Sequence, residues 1–79
     1  MNYSSYIFNH EAFSDRLALA KNPGTSPDVL RQLSDDYSYF VRMAVAQNPN
    51  TSADVMIKLS CDREREIRQH AHSLGFWWS

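Results

Sequence analysis

The sequence predicts an all-α fold, a short array of about two and a half helix–turn–helix repeats closed at each end by a capping helix. Three observations lead there. The phrase "RLALAKNPGTSPDV" at residues 16–29 is written again as "RMAVAQNPNTSADV" at 42–55. Aligning 16–36 with 42–62, an offset of 26, gives identity at 12 of 21 positions, the mark of stacked units that bury their faces against one another. Within each unit, apolar residues return at helical spacing, and each run is cut by Asn-Pro and restarted at Thr-Ser.

The first helix is expected near residues 9–21, where Phe8, Phe13 and Leu17 make the N-terminal segment a cap. The second is expected near 26–34. Ser26 suits its N-cap and Pro27 its first position, where a missing N–H costs nothing, while Val29, Leu30 and Leu33 supply a buried face. The third is expected near 37–47, with Tyr37, Val41, Ala44 and Val45 at i, i+4, i+7 and i+8 forming one apolar stripe. Asn48-Pro49 ends it, because a proline disfavours helical geometry in the residue before it and has no N–H to donate. The fourth, near 52–60, carries Asp54 at the positive end of its dipole and buries Val55, Met56 and Leu59. The second helix of each unit is short enough to be partly 3₁₀.

A further step of 26 carries Val41 to Ile67 and Arg42 to Arg68, so a third copy begins before the pattern fades in "QHAHSLGF". The fifth helix, near 63–74, therefore caps the array with Ile67, Ala71 and Leu74. His70, standing where the second copy has Ala44, suits a face with no further unit against it. The chain reads as one domain over 1–79: a cap at 1–14, repeats at 15–40 and 41–66, and a partial repeat with an aromatic tail at 67–79.

At "VRMAVAQNPNTSADVMIKLSCD", residues 41–62, the sequence resembles the leucine-rich repeat variant family and, more distantly, the HEAT and armadillo arrays. The resemblance covers about residues 15–72. It implies a right-handed α-solenoid in which an α-helix alternates with a short 3₁₀-like helix, serving as a scaffold for protein recognition. HEAT-type arrays also pair a regularly spaced Asp and Arg across units, which implies the same for Asp36 and Asp62 with the arginine row. The period of 26 is slightly longer than the family's usual unit. The iron–sulfur module found beside this repeat in one known case needs cysteines that are absent here, where Cys61 is alone.

With 43% hydrophobic and 22% charged residues and a net charge of -1, the composition is that of an ordinary globular domain rather than a disordered tail or a basic nucleic-acid binder. A lone Cys61 cannot close an internal disulfide or ligate a four-cysteine metal site, which fits a reducing, cytoplasmic setting. "MNYSSYIFNHEAF" lacks the basic start and apolar run of a leader, and no stretch approaches a membrane span. His70 and His72, two apart on a helix, cannot meet one ion from the same face, and Cys61 has no base beside it in sequence. With Gly24 and Gly75 the only glycines, there is no phosphate-cradling loop. No cofactor, metal or catalytic residue is expected, and the chain is not read as an enzyme.

Two sets of residues stand out as candidate contacts. Arg16, Arg42 and Arg68 recur once per unit, either as a structural ladder with Asp36 and Asp62 or as a row of guanidinium groups for a carboxylate-rich partner or a phosphate backbone. Phe76, Trp77 and Trp78, beyond Gly75, form either a lid over the array or an anchor for a partner. The dense run "CDREREIR" at 61–68 reads as a solvated helix face. The function these features point to is non-catalytic binding of another protein, as a small adaptor or inhibitor. Homo-oligomerisation is a second way to cover the open ends of an array. Nucleic-acid association through the arginine row is the alternative.

Overall fold

A computed structural model of the chain describes residues 12–74, with side chains through His72. Phe8, Gly75, Phe76, Trp77 and Trp78, and with them the aromatic tail and most of the N-terminal cap, lie outside the described residues. Five α-helices and no strand occur among the described residues: α1 (Phe13–Lys21), α2 (Pro27–Leu33), α3 (Tyr39–Gln47), α4 (Ala53–Leu59) and α5 (Arg65–Leu74). The all-α expectation therefore stands, and each helix falls within its predicted range. α2 and α4 are seven-residue α-helices rather than 3₁₀ turns.

The boundaries follow from local hydrogen bonds. Ala12 is extended, so α1 starts at Phe13. Ser26 Oγ accepts the Val29 N–H at 3.3 Å and Pro27 takes the first position of α2, as the sequence predicts. α3 begins two residues later than expected because Asp36 Oδ1 accepts the Ser38 N–H at 2.9 Å, and Ser38 then caps Val41. The same turn recurs one unit on, where Asp62 Oδ1 accepts the Glu64 N–H at 2.9 Å ahead of α5. Tyr37 thus precedes α3 and is 71% exposed, so it does not belong to the buried stripe that its spacing suggested.

Asn22-Pro23-Gly24-Thr25 and Asn48-Pro49-Asn50-Thr51 are closed turns, with the Thr N–H bonding the Asn carbonyl at 3.0 and 3.1 Å. Proline at the second position and the absence of positive φ among the described residues suit a type I turn. Each threonine hydroxyl then donates back to the end of the preceding helix, Thr25 to the Leu19 carbonyl and Thr51 to that of Val45, both at 2.6 Å. The repeated phrase thus encodes one hydrogen-bonded corner written twice.

α3 is the hub. It packs against each of the other four described helices and buries Val41, Arg42, Ala44, Val45 and Ala46. Leu30, Leu33, Val55, Leu59, Ile67 and Ala71 complete the core around it. The long helices α1, α3 and α5 lie side by side in chain order, α1 against α3 and α3 against α5, while α2 and α4 pack beside them.

Two ion pairs tie the α2 and α4 segments at the surface, Arg31 with Asp54 at 3.0 Å and Lys58 with Asp35 at 2.5 Å. Exposed pairs of this kind contribute about 0–1 kcal/mol each. Ser52 does not cap α4; its hydroxyl donates to Asp54 Oδ1 at 2.6 Å instead. That hydrogen bond, with the charge of Arg31 adding to it, holds the Asp54 carboxyl below its ordinary value of 3.8. A depressed carboxyl stabilises the fold above its unfolded value and loses that contribution as the pH falls through the folded one. Asp54→Asn is accordingly expected to melt slightly below wild type at neutral pH. In strongly acid solution the two proteins should melt together, and thermal scans across that range check it.

Candidate functional site

The repeated arginines are placed by the same backbone geometry that starts the long helices. Arg16 lies 3% exposed on α1, with Nε donating to Asp36 Oδ2 at 2.7 Å and Nη2 to Oδ1 at 3.4 Å. Arg42 on α3 repeats the grip on Asp62, with Nε to Oδ2 at 2.9 Å and Nη2 to Oδ1 at 3.3 Å. Its third nitrogen, Nη1, donates to the Asp36 carbonyl at 2.8 Å. Arg68 Nη1 makes the corresponding bond to the Asp62 carbonyl at 2.9 Å and a second to that of Arg63 at 3.0 Å. The result is a continuous relay, Arg16–Asp36–Arg42–Asp62–Arg68, that runs through the turns ahead of α3 and α5.

The electrostatics fit a structural role for the first two arginines. Planar guanidinium forks match both oxygens of a carboxylate, and burial strengthens the attraction while making loss of either partner costly. The Asp36 hydrogen bond, outweighing desolvation, keeps the Arg16 guanidinium charged and raises its pKa further above its ordinary value. The Tyr37 ring covers that guanidinium from outside, 5.1 Å from ring centroid to Arg16. Arg16 and Arg42 therefore present little to a partner, whereas half-buried Arg68 has no carboxylate against it among the described residues.

A polar cleft of about 220 Å³ opens beside the relay, lined by Ser34, Asp36, Arg42, Lys58, Cys61 and Asp62. Its carboxylates already meet cations, Asp36 and Asp62 guanidinium groups and Asp35 the Lys58 ammonium, and its exposed thiol, Cys61, has no histidine on the lining. No three His, Cys, Asp or Glu side chains gather as a metal-binding group among the described residues.

A second feature was not singled out by the sequence. Phe13, Tyr37 and Phe40 are 44%, 71% and 63% exposed at the start of α1 and α3. The Phe13 and Phe40 rings meet edge to face at 6.4 Å, and Tyr39 joins Phe40 in the same way at 5.2 Å. Leu17 and Met43, half-buried one turn further along, extend this apolar surface. It stops at α5, where Glu66 and Gln69 occupy the positions of Phe40 and Met43 and are exposed. The signal was available: Phe40 lies off the buried stripe of its helix, where the alignment puts Ser14 and Glu66.

Among the described residues no helix is long and apolar enough to cross a membrane. No protein-family model matches the chain, and no curated protein or solved structure matches it.

Proposed function

We propose that the chain is a short right-handed α-solenoid of the leucine-rich repeat variant kind that works without catalysis, as a cytoplasmic adaptor or inhibitor docking on a larger protein. The observation that carries this reading is the aromatic surface of Phe13, Tyr37 and Phe40, left open on a domain with little core to spare. Aromatic side chains bring large apolar area at low entropic cost and dominate interface energetics. The tail residues Phe76, Trp77 and Trp78 are a second contact candidate in the same reading. The nucleic-acid alternative is weakened because two guanidinium groups of its arginine row, Arg16 and Arg42, are buried against carboxylates.

Affinity capture of tagged protein from lysate, with and without nuclease, tests the reading beside two double variants, Phe13→Ser with Phe40→Ser, and Trp77→Ala with Trp78→Ala. A nuclease-resistant protein partner should bind the phenylalanine variant roughly thirty-fold more weakly, since truncating an interface anchor costs about 2 kcal/mol. Capture that survives in both variants, or vanishes on nuclease treatment, would reject the aromatic contact.

A further inference from the structure

The relay is filled at two of its three arginines and open at the third. In Arg42, one nitrogen is fixed by the Asp36 carbonyl, and the Nε–Nη2 edge then faces Asp62. In Arg68 the matching nitrogen is fixed by the Asp62 carbonyl at 2.9 Å, but among the described residues Nε and Nη2 meet no acceptor. The guanidinium is thus held in the orientation that grips a carboxylate elsewhere in the same fold, with its gripping edge unfilled by any described residue.

The surroundings of that edge specify what can enter. Asn48 reaches back to the Ala20 carbonyl at 2.8 Å, so position 20 of α1 faces the following unit. Ala20 and its counterpart Ala46 are buried there, 0% and 1% exposed, whereas His72 in the same row is exposed. An imidazole where the inner junctions have a methyl group opposes close packing of another long helix, but leaves room for a turn. His70, expected at this end, is half-buried in the row of Ala18 and Ala44; Ala18 is exposed on α1, so this row faces the preceding unit.

We propose that the Nε–Nη2 edge of Arg68 is a receptor for an aspartate of a partner protein, presented in an Asp-x-Ser or Asp-x-Glu turn that opens a helix. The proposal rests on the protein-binding reading and adds a second site to it. The ligand chemistry is drawn from this chain, where both carboxylates that fill such an edge belong to turns of that form, Asp36-Tyr37-Ser38 and Asp62-Arg63-Glu64. In each, one carboxylate oxygen takes the N–H two residues on while the pair of oxygens meets the arginine fork. A partner turn of this kind brings its carboxylate already oriented, which a free anion does not.

The side-chain Nε–Hε resonances of ¹⁵N-labelled protein report this edge directly. The probe is a synthetic peptide of residues 34–47, SDDYSYFVRMAVAQ, and its control carries Asp36→Asn. The Arg68 resonance should move saturably at millimolar peptide while those of Arg16 and Arg42 stay in place. The control should bind about tenfold more weakly, as expected for a charge-assisted hydrogen-bonded pair. Equal movement by both peptides, equal movement by inorganic phosphate, or no movement would overturn the proposal. So would an Arg68 shift that follows protein concentration alone with a matching increase in sedimentation mass, which would give the edge to a second copy. If lysate capture yields no protein, the binding-module reading fails while this titration still decides the Arg68 site, so the two failures are distinguishable.

Discussion

Arg42→Ala is expected to leave the protein largely unfolded at 25 °C. Arg42 is 3% exposed and makes three bonds at once, two to the Asp62 carboxylate and one to the Asp36 carbonyl. Truncation strips the counter-charge from an Asp62 side chain that is only 8% exposed and leaves the Asp36 carbonyl without that donor. Breaking a buried pair from one side costs about 3–5 kcal/mol. That equals roughly the whole 3–5 kcal/mol that a core in a chain of this size supplies. Arg42→Lys should recover only part, since one ammonium cannot reproduce a fork that meets two carboxylate oxygens and a carbonyl together. Pairing Arg42→Met with Asp62→Asn should recover more, because no lone charge stays buried and the amide oxygen can still accept the Glu64 N–H. Arg31→Ala, which breaks an exposed pair with Asp54, should cost under about 1 kcal/mol. Circular-dichroism melts of the four variants separate these cases. If Arg42→Ala and Arg31→Ala lower the melting temperature equally, the buried relay is not what joins one helix start to the next.

Much of this architecture was legible because the chain states it twice. The 26-residue offset located the helices, and Ser26-Pro27 located the start of α2. The pairing of Asp36 and Asp62 with the arginine row, implied by the resemblance to HEAT-type arrays, is present for Arg16 and Arg42. What spacing could not convey was competition among local bonds. Tyr37 fits the apolar stripe of α3 by count, but the Asp36 carboxylate captures the Ser38 N–H and delays the helix past it. Ser52 looks like the cap that Ser26 is, yet a hydroxyl beside an aspartate two residues on donates to that carboxylate instead. Phe40 is the opposite case: its place off the buried stripe is visible beside Ser14 and Glu66, but a single exposed aromatic is ordinary until the Phe13 and Tyr39 rings stand against it in three dimensions.

Asn48→Asp is the second substitution expected to be severe, and it shows what the repeated Asn-Pro does beyond stopping a helix. Asn22 and Asn48 are the same letter in the two copies, but their surroundings differ. Asn48 is 6% exposed and its amide donates to two carbonyls of the preceding unit, Ala20 at 2.8 Å and Asn22 at 2.9 Å, while its oxygen accepts the Asn50 N–H at 2.8 Å. Asn22 is exposed, and among the described residues its side-chain oxygen accepts only the Gly24 N–H within its own turn. The identity therefore records two roles, a turn bond that both residues make and a tie to the preceding unit that, among the described residues, only Asn48 makes. Asn22→Ala should cost about 0.5–1.5 kcal/mol, the worth of one ordinary hydrogen bond. Asn48→Ala leaves buried acceptors without a donor and should cost about 2–3 kcal/mol. Asn48→Asp replaces that donor with a carboxylate facing two carbonyl oxygens, so at neutral pH its cost should exceed that of the alanine and shrink in acid as the carboxyl protonates. Urea denaturation at both pH values measures the set. Equal losses for Asn22→Ala and Asn48→Ala would mean that the turn alone explains the repeated asparagine, and that the units are held together by apolar packing and the arginine relay without it.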